Sequence, residues 1–190
     1  MTKRISLTAQ AHSIIEKHLS KGDMAIDATT GNGHDTLFLA RLVSRTGKVF
    51  GFDIQQQAID STQSRLESEN FADNTQLFLS SHDKMLQCIA AEFHGTIKLI
   101  MFNLGYLPGS DKSVITQTES TLTALEQATK LLIKSGLITI AAYPGHTGGD
   151  TETLAIEKWH QQLDARKFSV ESIYSSEKET APRLYIIKKI

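Results

Sequence analysis

The sequence predicts an α/β protein built on a seven-stranded, mostly parallel sheet, with helices on both faces and an antiparallel strand at the C-terminal end. Three observations predict it. Short apolar runs alternate with segments of helical period along most of the chain. A glycine-rich turn follows the first apolar run and opens a helix. The last two apolar runs are separated by only residues 177–182, too few for a crossover helix, so those strands must pair antiparallel.

In order, Leu7, Ala11, Ile15 and Leu19 mark an opening helix. Apolar runs at 24–28, 48–53, 75–80, 97–103 and 137–143 read as parallel strands, joined by helical segments at 35–44, 55–69, 84–92 and 114–134. The last of these helices places Leu122, Leu125, Ala128 and Leu132 on one face. A further helix near 151–164, with Asp150 as its candidate N-cap, precedes the strands at 168–176 and 183–190. Gly22, Gly47, Gly95 and Gly136 each fall just before a strand, where a helix end calls for a residue tolerant of positive φ.

At 190 residues the chain is expected to be a single domain spanning 1–190. Hydrophobic content of 40% and charged content of 22% exclude a disordered chain. One cysteine, Cys88, rules out an intramolecular disulfide framework and any CxxC zinc or redox motif. Placed mid-helix with Met85, Leu86 and Ile89, it is expected to be buried and inert. No apolar run approaches 18 residues and the first six lack a signal-peptide core, so the expected location is cytoplasmic. Seven histidines show no HxxxH spacing, and no metal is expected. The net charge of −1 does not announce a nucleic-acid binder.

The strongest chemical signal is the run from Asp27 to Thr36, read as DATTGNGHDT. Gly31 and Gly33 allow a tight turn and close approach of a ligand to the backbone. Asp53 ends the second strand 22 residues beyond Gly31, where a carboxylate can take both hydroxyls of a ribose. Thr36 replaces the third glycine of the dinucleotide fingerprint, which argues for a nucleoside without phosphates, such as S-adenosylmethionine. Five parallel strands, a sixth and a reversed seventh is also the strand order of class I methyltransferases, a Rossmann-like fold.

Together with Phe52-Asp53-Ile54-Gln55, Ser81-His82-Asp83-Lys84, the 103–109 run NLGYLPG and Tyr143-Pro144-Gly145-His146, the turn resembles a small family. Its members are known as ribosomal RNA methylases, and it includes bacterial tRNA 5-(aminomethyl)-2-thiouridine methyltransferases. The resemblance spans nearly the whole chain. It implies a class I fold, S-adenosylmethionine as donor, and as acceptor the aminomethyl group at the wobble position of certain tRNAs, reached on the anticodon stem-loop. Thr29 stands where the broader methyltransferase pattern has its first glycine.

By this resemblance, Asp27 anchors the loop or a water near the methionine amino group. The Gly31-Asn32-Gly33 backbone carries the methionine and ribose portion, Asp53 and Gln55 hold the ribose, and Ser81, His82 and Asp83 meet the adenine. Asn103 and Tyr106 occupy the catalytic position. Their spacing resembles the Asn-Pro-Pro-Tyr motif of amino-methyltransferases, without its prolines. There the Asn accepts hydrogen bonds from the target amine while the ring stacks on the acceptor group.

The implied reaction is in-line attack of a neutral amine on a sulfonium methyl, which needs positioning and removal of one proton. Asp111, His146 and Asp150 are each placed to take that proton, and the sequence does not choose among them. Phosphate contacts are expected from Lys3, Arg4, Lys112, Arg183, Lys188 and Lys189. Two other classes stay open. One is a methyltransferase for rRNA or for a small-molecule or protein amine; the other is a non-catalytic nucleoside-binding protein. A homodimer is compatible with the sequence.

Overall fold

The computed structural model describes residues 6–105, 116–145, 148–176, 178 and 180–190. The chain alternates as predicted: α1 (Leu7–Glu16), β1 (Met24–Asp27), α2 (His34–Val43), β2 (Lys48–Asp53), α3 (Gln56–Ser68) and β3 (Thr75–Leu79) come first. They are followed by α4 (Met85–Cys88), β4 (Ile97–Asn103), α5 (Thr118–Leu131), β5 (Leu132–Ala142), α6 (Gly149–Gln161), β6 (Phe168–Tyr174) and β7 (Arg183–Lys189).

The strands form one sheet in the order β3-β2-β1-β4-β5-β7-β6. β1 to β5 run parallel, and β7 lies antiparallel between β5 and β6. This is the strand order expected from the sequence, five parallel strands with a reversed seventh. The central strands are apolar at nearly every position because both faces of the sheet are covered. In β4, Ile100 and Phe102 join the cluster under α5 and α6, while Leu99 and Met101 join the one under α1 and α2. α5 contributes Ala124, Leu125, Ala128 and Leu131 to the first cluster, and α2 contributes Leu37, Leu39, Ala40 and Val43 to the second. No helix of the described residues is long and apolar enough to cross a membrane.

Four local expectations are corrected. The helix predicted over 84–92 is broken into a 3₁₀ turn (His82–Lys84), the four-residue α4 and a second turn (Ala91–Phe93). Ile89 and Ala90 are extended, and Gln127 of α5 holds the start of α4, accepting from Leu86 N at 2.8 Å and donating to the Asp83 carbonyl. Cys88 therefore ends a helix and is half-buried, with its Sγ 3.8 Å from Ser80 Oγ. Gly22 and Gly95 do take positive φ, but at Gly47 and Gly136 the left-handed residues are the nearby Ser44 and Ser135. Gly47 is needed for space instead, since a Cβ there would lie 2.3 Å from the Asp23 carbonyl oxygen. Asp150 does not cap α6: Gly148 holds that position at φ 82°, and the Asp150 carboxylate accepts from Gly145 N at 3.1 Å.

Candidate active site

The strand order reverses between β1 and β4, and in an open parallel sheet the crevice beyond the strand ends opens at that point. A cavity of about 1140 Å³ lies there, lined by the loops after β1 to β5 and by the start of α5.

The loop after β1 is fixed from three sides. Thr30 donates through both its N–H and its hydroxyl to the Phe52 carbonyl, at 3.0 and 2.9 Å. Gly31, at φ 54°, donates to Asp53 Oδ2 at 2.9 Å. From α3, Thr62 donates to the Gly31 carbonyl at 3.1 Å, and Arg65 Nε to the Asn32 carbonyl at 2.8 Å. Gly33 caps α2 in the left-handed region at φ 76°, and a Cβ there would sit 2.7–2.9 Å from Thr62. The two glycines thus have different tasks. Gly31 turns the chain at the cavity wall, while Gly33 lets α2 press against α3.

Asp53 accepts from Gln55 N on its other oxygen at 2.9 Å, so its carboxylate bridges the two loops and keeps further lone pairs for a ligand. Ile54, 56% exposed, stands beside it on the cavity wall. His82 is buried, with Nδ1 donating to the Ala28 carbonyl at 3.1 Å and its ring edge-on to Phe102. Burial lowers its pKa, so the ring is neutral, and its Nε2 is buried with no partner.

Gly31, Asn32, Asp53, Gln55, Ser81, His82, Asp83 and Asn103 all line the cavity. Asp27 and Gly33 are not among its lining residues. Asp27 is fully buried below the loop, accepting from Thr36 Oγ1 at 2.6 Å and Thr29 N at 3.1 Å. Burial, followed by the nearby Asp35 charge, pushes its carboxyl up to about 7. Tyr106, Asp111, Lys112, His146, Lys3 and Arg4 lie outside the described residues. Among the described residues, no group of three or more His, Cys, Asp or Glu side chains could hold a metal ion.

Several contributors had no sequence signal. Asn103 N donates to Thr29 Oγ1 at 2.7 Å, and Asn103 Nδ2 donates to Asp35 Oδ2 at 3.2 Å. Beyond Gly105 the chain re-enters at Thr116, and the two are joined reciprocally: Thr116 N to the Gly105 carbonyl at 3.0 Å, Gly105 N to Thr116 Oγ1 at 3.2 Å. Buried Glu152 of α6 accepts from the hydroxyls of Thr116 and Thr121 at 2.8 and 2.7 Å, fixing this base from below.

Of the three cations expected to contact phosphate on the final hairpin, two have partners within the chain. Arg183 is ion-paired with Glu157, and its guanidinium lies 5.6 Å from the Tyr174 ring. Lys189 gives its ammonium to the Thr129 and Leu132 carbonyls at 2.9 and 2.7 Å, at the C-terminal end of α5. Lys188 is exposed but pairs with Leu137, whereas Arg183 pairs with Ala142. The two therefore sit at opposite ends of β7, and only Arg183 is at the cavity end.

Residues 49–189 match the family model described as "Putative rRNA methylase". A chloroplastic tRNA (mnm(5)s(2)U34)-methyltransferase of Arabidopsis thaliana is 38% identical over 168 residues, covering 84% of this chain. The match spans 61% of that relative's length. The crystal structure of a "putative rRNA-methylase" from Clostridium thermocellum is 39% identical, covers all of both chains and superposes with a TM-score of 0.92. SMU.1697c of Streptococcus mutans, a "putative methyltransferase" crystallised in complex with SAH, is 36% identical over the whole of both chains, with a TM-score of 0.86.

Proposed function

This chain belongs to the rRNA methylase family, and from that premise we propose that it is an S-adenosylmethionine-dependent N-methyltransferase. Its acceptor in this reading is the aminomethyl group of 5-aminomethyl-2-thiouridine at the tRNA wobble position, and it acts in the cytoplasm. The observation that carries the reading is the pairing of a nucleoside cradle with Asn103 on one cavity wall. The Arabidopsis relative, named for a wobble-position tRNA methylation, supports the choice of acceptor.

The residues present fit the donor. The loop around Gly31 brings backbone to the cavity surface, Asp53 keeps acceptor capacity for ribose hydroxyls, and the bare Nε2 of His82 is a buried acceptor still lacking a donor. Gly31, Asn32, Asp53 and Gln55 would hold the ribose and methionine portion, and Ser81, His82 and Asp83 the adenine. Asp27, beneath the loop, sets its shape through Thr29. When bound, the donor supplies a methyl group on a sulfonium: an N–C bond forms as the S–C bond breaks, and the electron pair stays on sulfur. Asn103 orients the amine. With its N–H given to Asp35, the amide carbonyl is left for the cavity. Tyr106 is assigned the stacking role by its place in the motif.

Mass spectrometry of tRNA nucleosides from a deletion strain tests this. Accumulated 5-aminomethyl-2-thiouridine with loss of its N-methylated product is the expected result. An unchanged nucleoside profile would remove tRNA as the substrate. The near-neutral total charge favours, as a second reading, an amine on rRNA, a protein or a small molecule.

A further inference from the structure

Asp35, in the first turn of α2, carries two hydrogen bonds that its helix does not require. An acid at this position usually faces solvent and offsets the helix dipole. This one lines the cavity, with its side chain only 14% exposed. Its Oδ1 accepts from His12 Nε2 at 2.8 Å, and its Oδ2 from Asn103 Nδ2 at 3.2 Å. A carboxylate only accepts, so the bond fixes a proton on His12 Nε2. His12 comes from α1, 23 residues earlier, and its ring stacks on Phe38 with centroids 3.8 Å apart and planes 12° apart. The imidazole is thus clamped on two sides and aims one N–H at one carboxylate oxygen.

We propose that Asp35 binds the acceptor substrate as a cationic primary amine and takes its proton, with His12 as the residue that positions it; the inference rests on the amine-methyltransferase reading above. Each Asp35 oxygen has spent one lone pair and keeps another for the cavity. The Asn103 amide, anchored to Asp35 through its nitrogen on the same cavity wall, keeps its carbonyl oxygen as a second acceptor. Two acceptors, one of them a carboxylate, are what an ammonium group seeks, and a ring carbon offers neither of them an N–H or O–H donor. The proton step balances simply. One ammonium N–H bond breaks, its electron pair remains on nitrogen as the attacking lone pair, and the carboxylate becomes a carboxylic acid.

Among the described residues, no Lys or Arg side chain contacts Asp35. His12 faces it from α1, and Asp27 of β1 lies within electrostatic reach below. Asp53 at the end of β2 holds the N–H groups of Gly31 and Gln55. Arg65 of α3 is bound to the Asn32 carbonyl and contacts the ring of His34 at 3.3 Å.

The test uses the full chain, S-adenosylmethionine and an anticodon stem-loop bearing 5-aminomethyl-2-thiouridine. Asp35→Asn should lower kcat about a hundredfold near pH 7 with donor affinity within about threefold. The deficit should shrink toward pH 9, where free amine replaces ammonium in solution. Without donor, the wild-type chain should bind the aminomethyl stem-loop about tenfold more tightly than the same stem-loop carrying plain 2-thiouridine, and Asp35→Asn should lose that preference. His12→Ala should cost about tenfold in kcat, and His12→Gln, which keeps an N–H donor, should recover most of it. An active wild type with an Asp35→Asn variant of equal rate, or of constant relative rate across pH with the binding preference intact, overturns the inference alone. A wild type that binds donor but neither methylates nor prefers the amine overturns this inference and the tRNA reading together. Should Asp35→Asn not fold, the His12 pair decides: equal loss in Ala and Gln overturns the positioning role.

Discussion

Asp53 ties two loops together before any ligand arrives, holding the N–H of Gly31 on one oxygen and that of Gln55 on the other. Asp53→Ala therefore removes a ligand contact and a loop brace at once. It should weaken donor binding by about 1.5–3 kcal/mol, read by calorimetry on a variant checked for folding; unchanged affinity would end the ribose assignment. Asn103→Ala should do the opposite, lowering turnover while donor affinity stays within about 1 kcal/mol, as should Tyr106→Ala. Equal losses in both quantities would mean that this wall shapes the nucleoside pocket. Asp27 makes a prediction about pH. Its folded pKa of about 7 is raised from 3.8, so between these values the folded state holds a proton that the unfolded chain has released. The stability this carboxyl contributes is full below pH 4, falls as pH rises, and is gone above pH 7. Asp27→Asn should remove that fall, so its stability relative to wild type should rise by about 1.4 kcal/mol per pH unit across the window. Denaturant melts at several pH values measure it, and parallel curves for the two proteins would contradict it.

The turn between β1 and α2 was legible because the elements that build it are neighbours in the chain. A strand end, two glycines and an acid 22 residues on are local facts, and the carboxylate does meet the Gly31 N–H. The close contact of Gly33 with Thr62 was not legible, since it depends on how α2 lies against α3. Gly33→Ala should cost about 2–4 kcal/mol in denaturant unfolding, from a left-handed φ and a Cβ forced onto Thr62; a loss under 1 kcal/mol would show that α3 yields easily. The segment after β3 misled for the opposite reason. Met85, Leu86, Cys88 and Ile89 keep helical spacing, but the backbone turns extended at Ile89 and Ala90, while Gln127 from α5 holds only the start of α4. His12 carries no pattern of its own in the sequence, because its partner becomes adjacent only when α1 packs beside α2. Arg183 and Lys189 looked like free cations for the same reason: Glu157 and two carbonyls at the end of α5 meet them only in the fold.

At the scale of the whole molecule, the cations of the final hairpin are largely turned inward or away from the cavity. With Arg183 and Lys189 internally engaged and Lys188 at the opposite end of β7 from the cavity, few described cations of the final hairpin remain for a phosphate backbone at the site. The affinity of an anticodon stem-loop should then fall with salt at a log–log slope of about −1, shallower than three clustered phosphate contacts would give. Recognition would rest on the exposed wobble base and its amine. Fluorescence anisotropy across a salt series reads the slope directly. A slope of −3 or steeper would show that cations outside the final hairpin reach the phosphates.

The position of β7 between β5 and β6 also sets an order in time. A ribosome releases the chain from residue 1 onward, so β1 to β6 are all made before the strand that joins the last of them to the rest. Until 183–189 emerge, β5 presents an open ladder edge and β6 has no neighbour at all. The sheet therefore closes only after its six other strands have been made. An unfinished chain is exposed, for that interval, to proteases and to edge pairing with other nascent copies.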